Sequence, residues 1–187
     1  MEQKLPKVFF IADTHFGHTN IIRMCARPFA DAADMQQQMI EKWNAKVGKD
    51  DVVYLLGDVS FKINKFDTAK ILAQLNGHKV LIKGNHDKYV GQPEFDQYFD
   101  DICETAHFTT ANGEEIFLCH YPILDYPGAY RNGHMIYGHV HNQYVPYERM
   151  YCVSAECVNY EPVTFDEIKA IYDEKPKEER IPWLRPF

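Results

Sequence analysis

Residues 7–18 read Lys7-Val8-Phe9-Phe10-Ile11-Ala12-Asp13-Thr14-His15-Phe16-Gly17-His18, an apolar run that breaks abruptly into carboxylate, imidazole and glycine. The same pattern recurs twice. Asp51 to Leu56 is a β-branched apolar run stopped by Gly57-Asp58, and Lys79 to Ile82 stops at Gly84-Asn85-His86-Asp87. Each run predicts a short strand. Between the first two, Thr19 to Cys25 predicts one or two helical turns. Met35, Met39, Trp43 and Val47 then recur every four residues, with Ile40 beside them, which predicts an amphipathic helix ended by Gly48. Phe66, Ala69, Ile71, Leu72 and Leu75 predict another helix, closed by Asn76-Gly77. Strand, helix, strand, helix, strand in about 75 residues implies parallel strands joined by right-handed crossovers.

The second half reads differently. Ile102 to Thr110 and Glu115 to Cys119 are expected strands flanking Asn112-Gly113, a strong hairpin signal. Met135 to Tyr137 and Tyr151 to Ser154 are further strand candidates, and Phe165 to Tyr172 predicts a closing helix. A charged stretch, Asp173 to Arg180, leads into a tail that Trp183, Leu184 and Phe187 are expected to anchor. The reading is α/β, with residues 1–187 forming a single domain.

Composition narrows the function classes. With 187 residues, 45% of them hydrophobic and 25% charged, the chain suits one soluble domain and excludes disordered or fibrous architectures. Twelve Phe, 12 Tyr and 2 Trp supply bulky core material. The longest apolar runs, Val8 to Ala12 and Val52 to Leu56, are far too short to span a membrane, and no secretory leader is apparent. A net charge of −7 argues against a broad nucleic-acid surface. Five Cys, an odd number without a Cys-x-x-Cys pair, read as reduced thiols in a cytoplasmic protein.

Five polar motifs follow the expected strands: Asp13-x-His15, Gly57-Asp58, Gly84-Asn85-His86-Asp87, His120, and Gly138-His139-x-His141. Ligand sites in α/β sheets gather outside the carboxyl ends of the strands, so these motifs are expected to converge. Two Asp, one Asn and at least four His offer nitrogen and oxygen ligands without thiolate. Such a set suits Mn, Fe, Zn, Ni or Co better than Ca or a zinc finger. Glycines before Asp58, Asn85 and His139 are expected to let the backbone turn sharply and bring each ligand inward.

The ordered set, running from Lys7 to His141, resembles the signature of the calcineurin-like metallophosphoesterase superfamily: D-x-H, G-D, G-N-H-D/E, H and G-H-x-H. The stretch from Asp13 to Ile22 further resembles a compact subfamily of bacterial and phage phosphoesterases. The resemblance implies two β-sheets sandwiched together with helices outside, in four αββα layers. It also implies two divalent metal ions, Mn first, with Fe, Zn, Ni or Co as alternatives. Asp13, His15 and His141 would hold the first ion and Asn85, His120 and His139 the second, with Asp58 bridging. His86 would be the general acid at the leaving group, and Asp87 would orient it; the alternative for Asp87 is a cap on the following turn. The implied reaction is in-line attack of a bridging hydroxide on a small phosphodiester or phosphomonoester.

Near the first motif, His18, Asn20 and Arg27 are candidate substrate-binding residues. His18 either faces the phosphate or caps the following helix. Arg27, held extended by Pro28, either clamps a phosphate oxygen or is a loop arginine at the surface. His78, His107 and His134, and the Cys residues, read as structural. The superfamily also contains DNA-processing nucleases and a non-catalytic scaffold, the retromer subunit of this fold. The short acidic chain argues against the first, and the intact ligand set with His86 argues against the second.

Overall fold

Strand β1, Val8–Ile11, buries three of its four side chains, which a strand achieves only when covered on both faces. Its cover comes from two directions: helices on one side and a second β-sheet on the other. The structure, a computed structural model, describes residues 5–173 except Pro146, together with Lys175 and Lys177. The expected anchor at Trp183, Leu184 and Phe187 lies outside the described residues.

The first sheet grows outward from β1. Strands β2 (Val52–Leu55) and β3 (His78–Ile82) run parallel to it, paired Val8 to Val52 and Val52 to His78. Between them lie α1 (Thr19–Met24), α2 (Ala32–Lys46) and α3 (Lys65–Leu72). Helix α2 starts at Asp31, whose carboxylate accepts hydrogen bonds from the Ala33 and Asp34 amides, and it buries Met35, Met39, Ile40 and Trp43. Asn64 caps α3 in the same manner.

The expected strand from Ile102 to Thr110 is two strands. After a short helix α4 (Pro93–Asp96), β4 (Asp101–Cys103) joins the first sheet beside β3, and β5 (Thr105–Thr109) belongs to the second sheet. The chain changes sheets at Glu104. Nothing in the local pattern marks the change, because a strand looks alike in either sheet and only its partner differs. The hairpin at Asn112-Gly113 then pairs β5 antiparallel with β6 (Glu115–Cys119), with Gly113 at φ +81°.

Strands β7 (His134–Tyr137) and β8 (Met150–Cys152) continue the second sheet parallel to β6. The chain then returns as β9 (Val163–Thr164), antiparallel to β1, and ends in α5 (Phe165–Asp173). The sheet orders are β4-β3-β2-β1-β9 and β5-β6-β7-β8. Glu167 and Thr164 cap α5 reciprocally, the Thr164 amide donating to Glu167 Oε2 at 2.7 Å. The stacked rings of Phe10, Tyr54 and Phe108 join the sheets across their interface. The architecture is therefore mixed α/β, with two sheets flanked by helices. Among the described residues, no helix is long and apolar enough to cross a membrane.

One contact decides where the site forms. Beyond β1 and β8 the sheets meet in a parallel bridge between Ala12 and Ser154. The Ala12 amide donates to Val153 O at 2.8 Å, and the Ala155 amide donates to Ala12 O at 2.9 Å. This bridge gathers the carboxyl ends of strands from both sheets at one edge.

Candidate metal centre

The loops at that edge are bent in an unusual way. Asp13, His15, Asp58, His139 and His141 all have left-handed backbone, with φ of 54°, 48°, 56°, 69° and 52°. Non-glycine residues adopt this conformation rarely, and such strain clusters at functional sites. The glycines act in two ways, one of them the sharp turn that the sequence leads one to expect. Of the three that precede ligands, Gly57 supplies a turn, at φ +84°. Gly138 supplies space: a Cβ there would lie 2.7 Å from Asp13 Oδ2.

Three groups of donor atoms converge, one of them Cys25, His141 and Glu156, behind the motif residues. Asp13, His15 and His141 each place one donor atom within 4.8 Å of the others, and so do Asp13, Asp58 and His120. Each group could hold a metal ion. Asp58 Oδ2 lies 3.6 Å from His15 Nε2 and 3.7 Å from His120 Nε2, too far for hydrogen bonds but suited to a shared cation. His120 Nδ1 is 2.8 Å from Leu56 O; a carbonyl only accepts, so Nδ1 donates. Its Nε2 lone pair then faces Asn85 Oδ1, a second acceptor, at 3.1 Å. His139 completes this side, its ring 5.1 Å from that of His120.

Burial sharpens the case. Asp13 Oδ1 and both ring nitrogens of His15 are buried with no hydrogen-bond partner among the described residues. Orphaned buried polar atoms are costly unless something satisfies them, and a divalent cation fits Asp13 Oδ1 and the unprotonated nitrogen of His15. Burial pushes the Asp13 carboxyl up to about 6, against the opposing influence of His120, His141 and the Ser154 hydroxyl. Burial also holds His15 down to about 2, helped by the charges of His141 and Arg27. The His141 ring is pushed down by burial, but a hydrogen bond with Glu156 and the charge of Asp13 outweigh that, and the net shift is upward.

The remaining candidates sort by position. His86 stands at the mouth with a side chain 40% exposed and its Nε2 4.0 Å from Asp58 Oδ2. Its amide donates to Asp58 Oδ1 at 2.8 Å. His18 packs on Phe61 with ring centroids 4.3 Å apart, and its side chain does not cap α1. Burial lowers its pKa. Asn20 is exposed on α1.

Asp87 requires a correction. Its carboxylate accepts from the amides of Asp58 (2.9 Å), Val59 (2.9 Å) and Gly84 (2.7 Å), so it binds two motif loops together rather than orienting the His86 ring. Arg27 requires another. Its side chain is 0% exposed, and its guanidinium donates to Asp13 O (2.7 Å), Thr14 O (2.9 Å) and Glu156 Oε1 (2.8 Å). With those donors engaged beneath the site, it is neither a surface residue nor free to clamp a phosphate.

Sequence reasoning missed Ser154, Glu156 and Phe61. Ser154 Oγ donates to Asp13 Oδ2 at 2.6 Å, and the His139 amide donates to the same oxygen at 2.8 Å. A signal existed for Ser154, since it ends an expected strand as the five motifs do. Glu156 carried none. It lies in the 3-10 turn Ala155–Val158, and its oxygens sit 3.2 and 3.3 Å from His141 Nδ1. Phe61 edges the His86 ring at 4.7 Å. His78, His107 and His134 pair instead with Asp100, Glu115 and Tyr151.

Known proteins resemble this chain to different extents. An uncharacterized protein of Methanocaldococcus jannaschii is 36% identical over 170 residues, covering 87% of this chain and 89% of the relative. The gene 66 protein of Mycobacterium phage D29 is 36% identical over 86 residues, 45% of this chain and 42% of its own. The crystal structure of a protein of unknown function from Aquifex aeolicus superposes with a TM-score of 0.68 at 26% identity, over 89% of this chain and all of that one. The pattern of the calcineurin-like phosphoesterase superfamily domain matches residues 7–158, which contain every motif quoted above. The chain belongs to the calcineurin-like phosphoesterase superfamily.

Proposed function

We propose that this protein is a binuclear-metal-dependent hydrolase of small phosphodiesters or phosphomonoesters. The observation that carries the reading is Asp58 Oδ2, nearly equidistant from His15 Nε2 (3.6 Å) and His120 Nε2 (3.7 Å), one ring from each half of the centre. Asp13, His15 and His141 would hold one ion, Asn85, His120 and His139 the other, with Asp58 common to both. When bound, such a pair supplies a nucleophile at neutral pH and positive charge against the phosphoryl oxygens. Mn is the expected metal, with Fe, Zn, Ni or Co as alternatives for a thiolate-free set.

The chain's own residues do the remaining work. His86, half-exposed at the mouth, donates the proton that an alkoxide leaving group needs. Phe61 packs edge-on against its ring and restricts its swing. His18 and Asn20 flank the approach from α1, with His18 available as a hydrogen-bond donor to a phosphate oxygen. The net charge of −7 supports a small substrate over an extended nucleic-acid track.

The test is turnover of chromogenic monoesters and diesters by chelator-treated protein resupplied with Mn, Ni, Zn or Mg. Hydrolysis that returns only with metal, at two ions per chain by elemental analysis, is the expected result. No turnover with any metal overturns the reading, and one ion per chain overturns its binuclear part. On a small diester, kcat/KM should change modestly between about 50 and 200 mM salt, whereas 6–10 phosphate contacts would cost ~10³–10⁵-fold in affinity. Much faster cleavage of DNA or RNA with a steep salt slope would point to a nuclease.

A further inference from the structure

The structure assigns Glu156 and Arg27 as a buried positioning pair that fixes one side of the centre, an inference that rests on the metal-dependent reading above. Their side chains are 5% and 0% exposed, and the Nη2 to Oε1 distance is 2.8 Å. Arg27 Nε also donates to Glu156 Oε1 at 2.8 Å, so two arms of the guanidinium fork grip one oxygen.

The consequences run along both partners. A buried carboxylate only accepts, so its approach to His141 Nδ1 at 3.2 and 3.3 Å makes that nitrogen the donor. In the neutral ring the lone pair is then on Nε2, the nitrogen left for a metal. A carboxylate behind a ligating imidazole fixes its tautomer and orientation and raises its basicity. On the other side, Arg27 donates to the carbonyls of Asp13 (2.7 Å) and Thr14 (2.9 Å). Those carbonyls belong to the left-handed turn that carries Asp13 and His15. One guanidinium therefore ties Asp13, His15 and, through Glu156, His141 into a single unit.

Among the described residues, the other side of the centre has no such pair. His120 is backed by the neutral carbonyl of Leu56, and Asn85 and His139 are exposed. The pair should therefore strengthen one metal position selectively. Arg27 supplies the compensating charge that lets Glu156 stay ionised out of water.

Calorimetric titration of chelator-treated protein with Mn(II) tests this, with circular dichroism as the check on folding. Wild-type protein is expected to take two ions. Glu156→Gln keeps the size and removes the charge; it should weaken one site about 10–100-fold and leave the other unchanged. Arg27→Lys keeps the charge but not the fork and should weaken the same site, Arg27→Met more so. Two unchanged sites, or two sites weakened alike in a folded variant, overturn the assignment. Wild-type protein that takes no Mn(II) overturns the metal-dependent reading itself, and does so before any substitution is made. A second measurement needs no variant. Long-range ¹H–¹⁵N correlation spectra of the Zn(II)-loaded wild type should show His141 as the Nδ1–H tautomer, and an Nε2–H tautomer overturns the assignment.

Discussion

The two sides of the centre are built on opposite plans. Asp13 and His15 are 0% and 2% exposed and backed by an ion pair. Across Asp58, Asn85 and His139 are exposed and His86 is half-exposed, while His120 is as buried as Asp13 but leans on an uncharged carbonyl. Burial and charge make the first side a rigid seat, because water cannot replace a lost ligand there. On the proposed reading, the second side would keep ligands and the proton donor His86 at a surface that substrate can reach. One site thus separates holding from reacting, and substitutions should reveal the division.

The largest effect should come from the residue common to both sides. Asp58→Ala should abolish turnover and metal uptake at both positions, while Asn85→Ala should weaken one position only. Elemental analysis of the two variants reads this directly. Equal metal loss in both would break the comparison, because the two sides would then act as one.

Next in size is His86→Ala, which should retain both ions. A positioned general acid contributes about 10²–10⁴-fold. The loss should appear in that range for alkyl phosphodiesters, whose leaving group needs a proton, and be small for nitrophenyl esters. Equal losses on both substrates would assign His86 to phosphate binding instead.

The pH dependence of metal-free protein probes the buried side. His15 is held neutral, its pKa near 2 against an ordinary 6.5. Its folded pKa lies below the unfolded value, so its contribution to stability is present above pH 6.5 and is lost as pH falls. Asp13, raised to about 6, acts in the opposite sense below about pH 6, whereas His141, raised above 6.5, exerts its effect only above pH 6.5. The displacement of His15 is the largest of the three, so the thermal midpoint should fall between pH 6.5 and 4.5. A midpoint that rose on acidification would show that Asp13 dominates. The strain on Asp13 comes first from lost hydration; repulsion by Asp58 is a smaller cause.

The smallest effect should be that of Ser154→Ala. The substitution removes one of two hydrogen bonds to Asp13 Oδ2 and leaves the His139 amide in place. A hydrogen bond to a charged group contributes about 1.5–3 kcal/mol. At roughly 2–4 °C per kcal/mol for a chain of this size, the midpoint should drop by several degrees. A larger drop, with metal lost, would add Ser154 to the groups on which the rigid seat depends.

Most secondary elements were legible in the sequence because their signals are local. The four-residue spacing of Met35, Met39 and Trp43 marks a buried helix face whatever lies opposite, and α2 buries those residues. The motifs at strand ends were legible for a related reason: parallel strands bring their carboxyl ends together, so sequence order predicts spatial convergence. The break at Glu104 was not legible, nor was β9, whose two residues find their place only by pairing with β1.

Residue chemistry was readable without any structure: strands that stop at Asp, Asn and His, a set of candidate nitrogen and oxygen ligands, and helices between parallel strands. The work of the charged groups behind that set depended instead on how distant segments pack. Asp87 stands next to His86 yet spends its carboxylate on three backbone amides, two of them in the loop after β2. Arg27 is followed by a proline and reads as a loop residue, yet it is buried against Glu156, 129 positions away. A side chain's type fixes what it can donate or accept, and a local pattern fixes its element. Which partner it meets depends on how distant segments pack, and for a charge removed from water that partner decides its role.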